Sequence, residues 1–169
     1  MTRDSIRQGL VELAERCERA VSSDRELDCL IHCAHEGLDF VCLATGNEIY
    51  GDICDPSDSG YGTNNKTSPG LLYARYPDHK NLPTLGGGKR GNIVQGCTPP
   101  AYTASIDAAM SLVPEGMKFI LDTHHMIVTI YEYWPISSPE DEGFASYQAE
   151  AATPALALVA AALRAKAQS

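Results

Sequence analysis

Residues 117–134, MKFILDTHHMIVTIYEYW, decide the fold class of this chain. Met117, Phe119 and Leu121 alternate with other side chains, which is the period-two pattern of a strand with one buried face. The second half of the stretch is rich in β-branched and aromatic residues, which favour strands. Residues 122–125 lie between the two halves and supply a turn. The stretch therefore predicts an antiparallel β-hairpin.

Helical patterns lie on both sides of this hairpin. Apolar residues at three- and four-residue steps predict a helix over about residues 4–21. Ser23 followed by Glu26 has the spacing of a capping box, which predicts a second helix over about residues 24–36. Thr103 or Ser105 can begin a short helix whose apolar face comprises Ile106, Ala109, Met110 and Val113.

The last predicted helix has a start signal of its own. Thr153 is a capping residue and Pro154 suits the first helical position, and the predicted buried face comprises Leu156, Val159, Ala160 and Leu163. Residues 38–44 and 144–148 have strand character. Together these elements predict an α+β fold, in which helices pack on an antiparallel sheet made of the hairpin 117–134 and one or more further strands.

Length and composition predict one domain. A chain of 169 residues and 18.2 kDa can bury a single core. Residues 45–101 are rich in glycine, proline and small polar residues, and they predict a long loop-rich excursion from that core with a short hairpin around residues 71–76. The prediction is therefore a single domain over residues 1–169.

Charge and hydropathy exclude several classes of protein. The net charge of −9 argues against non-specific binding of nucleic acid. No apolar run approaches the roughly 20 residues that span a bilayer, so no membrane association is expected. The first ten residues, MTRDSIRQGL, have no apolar segment typical of a secretory signal. We therefore expect a cytoplasmic protein in a bacterial host cell, with its six cysteines reduced.

One region has the composition of a binding segment. Residues 60–101 contain five basic residues and one acidic residue, together with three tyrosines. Cations and aromatic faces suit an anionic, planar ligand such as a nucleotide. An adaptable protein-binding loop and an ordinary solvated loop have the same composition. The candidate ligand-binding residues are Tyr61, Tyr73, Arg75, Tyr76, Lys89 and Arg90.

A second candidate site lies on the predicted second helix. Asp28, His32 and His35 are spaced so that all three project from one helix face, and a carboxylate with two imidazoles suits zinc or another divalent ion. The alternative is an ordinary solvated face, with Asp28 tethering backbone. His124 and His125 are interpreted as turn residues.

The chain has no recognisable catalytic motif. Residues 86–91 match the letters of GxGxxG, but no predicted strand precedes them and no predicted helix follows. No serine-nucleophile motif and no HExxH motif occurs. The sequence therefore leans toward a protein that is not an enzyme, and it implies no cofactor.

Four strings resemble one protein family. They are DRELD at 24–28, YTASIDAA at 102–109, LVPEG at 112–116 and TPALAL at 153–158. They are similar to a group of small uncharacterised proteins encoded by phages and prophages, the phage ABA-sandwich type, over roughly residues 3–36 and 102–167. The resemblance implies a helix–sheet–helix sandwich and a phage or prophage origin. It carries over no catalytic residue.

Three functions remain open from the sequence. The first is a non-enzymatic phage accessory protein that binds and interferes with a host protein or defence complex, as an anti-CRISPR-like inhibitor of antiviral defence would. The second is a protein that binds or sequesters an anionic small molecule of the nucleotide type. The third is a metal-dependent enzyme built on the second helix.

Overall fold

The computed structural model describes residues 3–47, 66, 68–75, 94–132 and 145–168, and these form an α+β fold. Within them lie four helices and six strands. The helices are α1 (Arg3–Arg19), α2 (Arg25–Glu36), α3 (Ile106–Met110) and α4 (Pro154–Gln168). The strands are β1 (Asp39–Leu43), β2 (Leu72–Arg75), β3 (Val94–Cys97), β4 (Lys118–Asp122), β5 (Ile127–Glu132) and β6 (Ala145–Glu150).

The chain divides into two compact units. Unit 1 comprises Met1–Asp28 and Pro100–Ser169, and unit 2 comprises Cys29–Pro99. Each unit has an antiparallel sheet, with strand order β4-β5-β6 in unit 1 and β1-β2-β3 in unit 2. The loop-rich excursion predicted over residues 45–101 thus contributes β2 and β3 to a sheet. Residues 48–65, 67 and 76–93 of that excursion lie outside the described residues.

The hairpin predicted at residues 117–134 is confirmed. β4 and β5 pair in antiparallel register, with Phe119 opposite Ile130 and Leu121 opposite Val128. Val128 and Ile130 are completely buried, so the predicted alternation places one face of the sheet in the core. The third strand, β6, pairs with β5 on its other side.

Helix α4 forms the centre of unit 1. It packs against β5 and β6 of the sheet, and it also contacts α1 and α3. These contacts bury α4 on nearly every side rather than along the predicted stripe alone. Its many alanines leave room for close approach of the neighbouring elements. Unit 1 is therefore layered in the order sheet, α4, α1, and helices packed on an antiparallel sheet are confirmed.

The start of α2 differs in one residue from the capping-box prediction. Asp24, not Ser23, caps the helix, because its Oδ1 accepts from the backbone N–H groups of Glu26 at 2.9 Å and Leu27 at 3.1 Å. At the starts of the later helices, the predicted capping residues Ser105 and Thr153 are confirmed, since each accepts from a backbone N–H three residues on.

Unit 2 corrects the hairpin predicted around residues 71–76. Its residues 72–75 form a single strand, β2, which lies between β1 and β3. The described core of the sheet includes a cluster in which Cys29 and Cys33 of α2 pack on Leu72 and Ala74. Within the described part of the chain, no disulfide joins any of five cysteines, namely Cys17, Cys29, Cys33, Cys42 and Cys97.

None of the helices in the described segments is long and apolar enough to cross a membrane.

Candidate functional site

Most of the predicted anion-binding residues lie outside the described residues. These are Tyr61, Tyr76, Lys89 and Arg90, and the backbone of Arg75 belongs to β2. Tyr73 is described, and only 6% of it is exposed. Its ring packs in a small core cluster with Ala44, and its Oη accepts from the Ser68 N–H at 3.2 Å. In this structure Tyr73 is a core residue of unit 2.

Asp28, the first predicted metal ligand, ties α2 to the turn at residues 102–104. Its Oδ1 accepts from the Thr103 N–H at 2.8 Å and from the Thr103 hydroxyl at 2.9 Å. Its Oδ2 lies 3.6 Å from Arg25 Nη1. Asp28 and Thr103 are 3% and 1% exposed. The geometry therefore matches the alternative interpretation of Asp28, as a tether for backbone.

His32 and His35, the other predicted metal ligands, are half-buried on α2. The Nε2 of His35 lies 3.8 Å from Glu36 Oε1. Across the described segments, no three side chains of histidine, cysteine, aspartate or glutamate are placed to hold a metal ion. A metal site on this helix stays a prediction.

A surface groove in unit 1 brings together residues that sequence analysis did not connect. It has a volume of about 410 Å³ and lies where α1, α4 and β6 meet. It is lined by Val11, Ser146, Tyr147, Gln148, Arg164 and Gln168. Because Val11 of α1 lies more than 130 residues from the lining residues of β6 and α4, no local spacing could have predicted the groove.

Arg164 organises one side of this groove. Its Nη1 and Nη2 donate to the two carboxylate oxygens of Glu18 at 2.6 and 2.8 Å, and Nη1 also donates to the Gln148 carbonyl at 2.7 Å. This two-pronged contact fixes the guanidinium between α1, α4 and β6. Arg7 of α1 caps the end of α4 by donating to the Ala167 carbonyl at 2.7 Å.

The β4–β5 turn holds a carboxylate and two exposed imidazoles. Asp122 Oδ1 accepts from the backbone N–H groups of His124 at 2.9 Å and His125 at 3.1 Å, while Oδ2 lies 2.8 Å from His125 Nδ1. The hydrogen bond from the His125 side chain, followed by the two from the backbone, lowers the pKa of Asp122 to about 2. The prediction of turn residues is confirmed, and Asp122 caps that turn.

Helix α3 exposes side chains that its sequence pattern predicts to be buried. Ile106 is 38% exposed and Met110 is 46% exposed, one helical turn apart on the same side. The buried residues here are Ala109 and, just after the helix, Leu112. The predicted apolar face is therefore wrong at two of its positions. We call Ile106 and Met110 together the α3 face.

Two buried thiols have depressed acidity. Burial raises the pKa of Cys17 and of Cys33 to about 12. A thiol must ionise to act as a nucleophile or a metal ligand, so these two groups are held in their unreactive form at neutral pH.

Comparison of the chain with protein-family models, curated proteins and solved structures found no match. The resemblance to the phage and prophage family thus stays a prediction that depends on the four quoted strings.

Proposed function

We propose that this protein works by binding a macromolecule of a bacterial host, as a non-enzymatic accessory protein of a phage or prophage. The observation that supports binding is the α3 face, where Ile106 and Met110 present adjacent apolar surface to solvent. The phage context depends on the sequence resemblance alone. The partner class is a host protein or defence complex, because apolar side chains beside one another suit a protein surface.

The α3 face is chemically suited to docking. Methionine is unbranched and polarizable, so it adapts to irregular partner surfaces. Full burial of an isoleucine or methionine side chain contributes about 1.5–3 kcal/mol, and somewhat under half of each side chain is still exposed here. Covering both would contribute about 1–2 kcal/mol, which is roughly a tenfold change in affinity.

Net charge indicates the kind of surface that would associate with the protein. The chain carries a charge of −9, so a partner with a basic surface would be attracted before contact. Dissolved salt screens this attraction and reduces the distance over which it acts. We therefore expect association to slow as ionic strength rises.

A capture experiment with matched variants tests the proposal. The full chain is immobilised, exposed to bacterial lysate, and compared with the double variant Ile106→Ser/Met110→Ser. Val21→Ser is the control, since Val21 is 86% exposed and belongs to the α1–α2 connection and not to α3. The proposal requires a partner that the wild type and the control recover equally and that the double variant recovers in clearly smaller amount, as a roughly tenfold lower affinity implies. Equal recovery by all three proteins, or recovery by none, would refute it.

A second candidate function is binding of an anionic small molecule, and the groove at Arg164 favours it. Its volume of about 410 Å³ lies within the range of small-ligand sites. Tyr147 and Gln148 add hydrogen-bonding groups to its wall. An anion would compete with Glu18 for the guanidinium of Arg164.

Calorimetric titration with ATP separates the two possible positions of such a site. If the groove binds the anion, Arg164→Gln removes binding and the pair Lys89→Ala/Arg90→Ala leaves it intact. If the predicted basic segment binds the anion, Lys89→Ala/Arg90→Ala removes binding and Arg164→Gln leaves it intact. Unchanged affinity in both variants, or no binding by the wild type, would argue against this function.

A further inference from the structure

The β4–β5 turn presents one imidazole whose orientation is controlled by a carboxylate. Asp122 Oδ2 lies 2.8 Å from His125 Nδ1, and an ionised carboxylate can only accept a hydrogen bond. His125 Nδ1 therefore carries the proton, and the lone pair of its other nitrogen, Nε2, is left for a ligand. Asp122 also accepts the backbone N–H groups of both histidines, which holds the turn itself in place.

The second imidazole lies beside the first. The ring centroids of His124 and His125 are 4.7 Å apart and the rings are nearly perpendicular, at 88°. His124 is exposed, so rotation about its side-chain bonds meets little resistance from packing, while His125 keeps its hydrogen bond to Asp122. Two imidazoles at this separation come within reach of a single ion.

We propose that His124 and His125 bind a transition-metal dication of the imidazole-preferring class, such as Cu²⁺, Ni²⁺ or Zn²⁺, with water completing its coordination. Imidazole nitrogen is a preferred ligand for these ions. A metal-binding histidine typically donates its other N–H to a carboxylate, which is the arrangement of His125 and Asp122. Asp122 acts as a positioning residue in this site, so only two side chains ligate the ion.

Copper is the probe that tests this site. Cu²⁺ has the highest affinity of the divalent first-row ions for nitrogen sites, and its paramagnetic resonance spectrum reports nitrogen ligands. The full chain is freed of metal with a chelator, which is then removed, and the protein is titrated with Cu²⁺. We expect a nitrogen-ligated site that His124→Ala and His125→Ala each weaken by at least about tenfold.

Two further variants distinguish this site from other sites on the chain. Asp122→Asn preserves a side chain that can cap the turn but removes the carboxylate charge, and we expect it to weaken copper binding by about tenfold. His35→Asn removes an imidazole on α2 and should leave the affinity unchanged. Copper binding that survives loss of His124 or His125, or that disappears in His35→Asn, overturns the proposal. So does absence of a nitrogen-ligated signal in the wild type.

Discussion

Replacement of Asp28 by asparagine tests whether this buried carboxylate stabilises unit 1 as a tether. Its Oδ1 accepts two hydrogen bonds from Thr103, at 2.8 and 2.9 Å, and both residues are almost completely buried. Hydrogen bonds to a charged group contribute about 1.5–3 kcal/mol each. Asparagine keeps an acceptor oxygen but loses the charge, so we expect the free energy of unfolding to fall by about 2 kcal/mol.

Urea unfolding followed by circular dichroism measures this loss. The wild type, Asp28→Asn, Thr103→Val and the double variant form a cycle that isolates the interaction between the two side chains. The Thr103 hydroxyl also accepts a hydrogen bond from the Asp24 N–H at 3.0 Å. The loss of unfolding free energy in Thr103→Val alone therefore includes the loss of this second hydrogen bond. We expect a coupling of at least about 1 kcal/mol. A coupling near zero, or a cost below about 0.5 kcal/mol for Asp28→Asn, would refute the tether.

The same variants decide between a tether and a metal ligand at position 28. A protein that needs zinc at Asp28 loses stability when a chelator is added, because metal binding then contributes to folding. In that case the difference between the wild type and Asp28→Asn disappears in chelator. The tether predicts the same difference with and without chelator, since both hydrogen bonds involve Thr103 alone.

Three other perturbations follow from the same structure. Arg164→Lys should lower the free energy of unfolding by about 1–2 kcal/mol, because an ammonium cannot replace the two-pronged contact with Glu18; unchanged urea unfolding would contradict this. Iodoacetamide should modify Cys17 and Cys33 far more slowly in the folded protein than in urea, because burial raises the pKa of each thiol to about 12; equal rates in timed mass spectrometry would count against it. Hydrogen bonds lower the pKa of Asp122 to about 2. The ionised Asp122 carboxylate should therefore stabilise the folded protein fully above a pH of about 4, and this stabilisation should be lost as the pH falls through 2. An NMR titration of the Asp122 carboxyl with a midpoint near a pH of about 4 would disprove the turn geometry.

Local patterns predicted the parts of the fold that depend on local interactions. The hairpin at β4 and β5 needed only an alternating pattern and a turn, and both lie within residues 117–134. Local patterns could not predict the position of strand β2 in its sheet. Its partners β1 and β3 lie far from it in the sequence, and a run of four residues has too little periodicity to identify a central strand. Predicting the sheet of unit 2 requires knowledge of which distant segments meet.

The candidate sites show the same limit. The spacing of Asp28, His32 and His35 predicted a shared helix face, but the partner of Asp28 is Thr103, which lies 75 residues away. The Arg164 contact joins α4 to Glu18, 146 residues earlier. The turn at Asp122 was predictable because its hydrogen bonds span two or three residues. The sequence shows which side chains can form hydrogen bonds or ion pairs. It does not show which residue each of them contacts when that residue is distant in the chain.

The failed prediction on α3 carries information about function. Apolar residues at helical spacing are normally core residues, and Ile106 and Met110 have that spacing around the buried Ala109. Helix α3 is five residues long, and it contacts α4 and buries Ala109. A disagreement between pattern and burial is expected where a surface serves a partner. Serine at 106 and 110 removes the buried part of each side chain as well as the exposed part, so it should lower both the free energy of unfolding and, by roughly tenfold, the affinity for the partner. Unchanged capture by the folded double variant would contradict a role in binding.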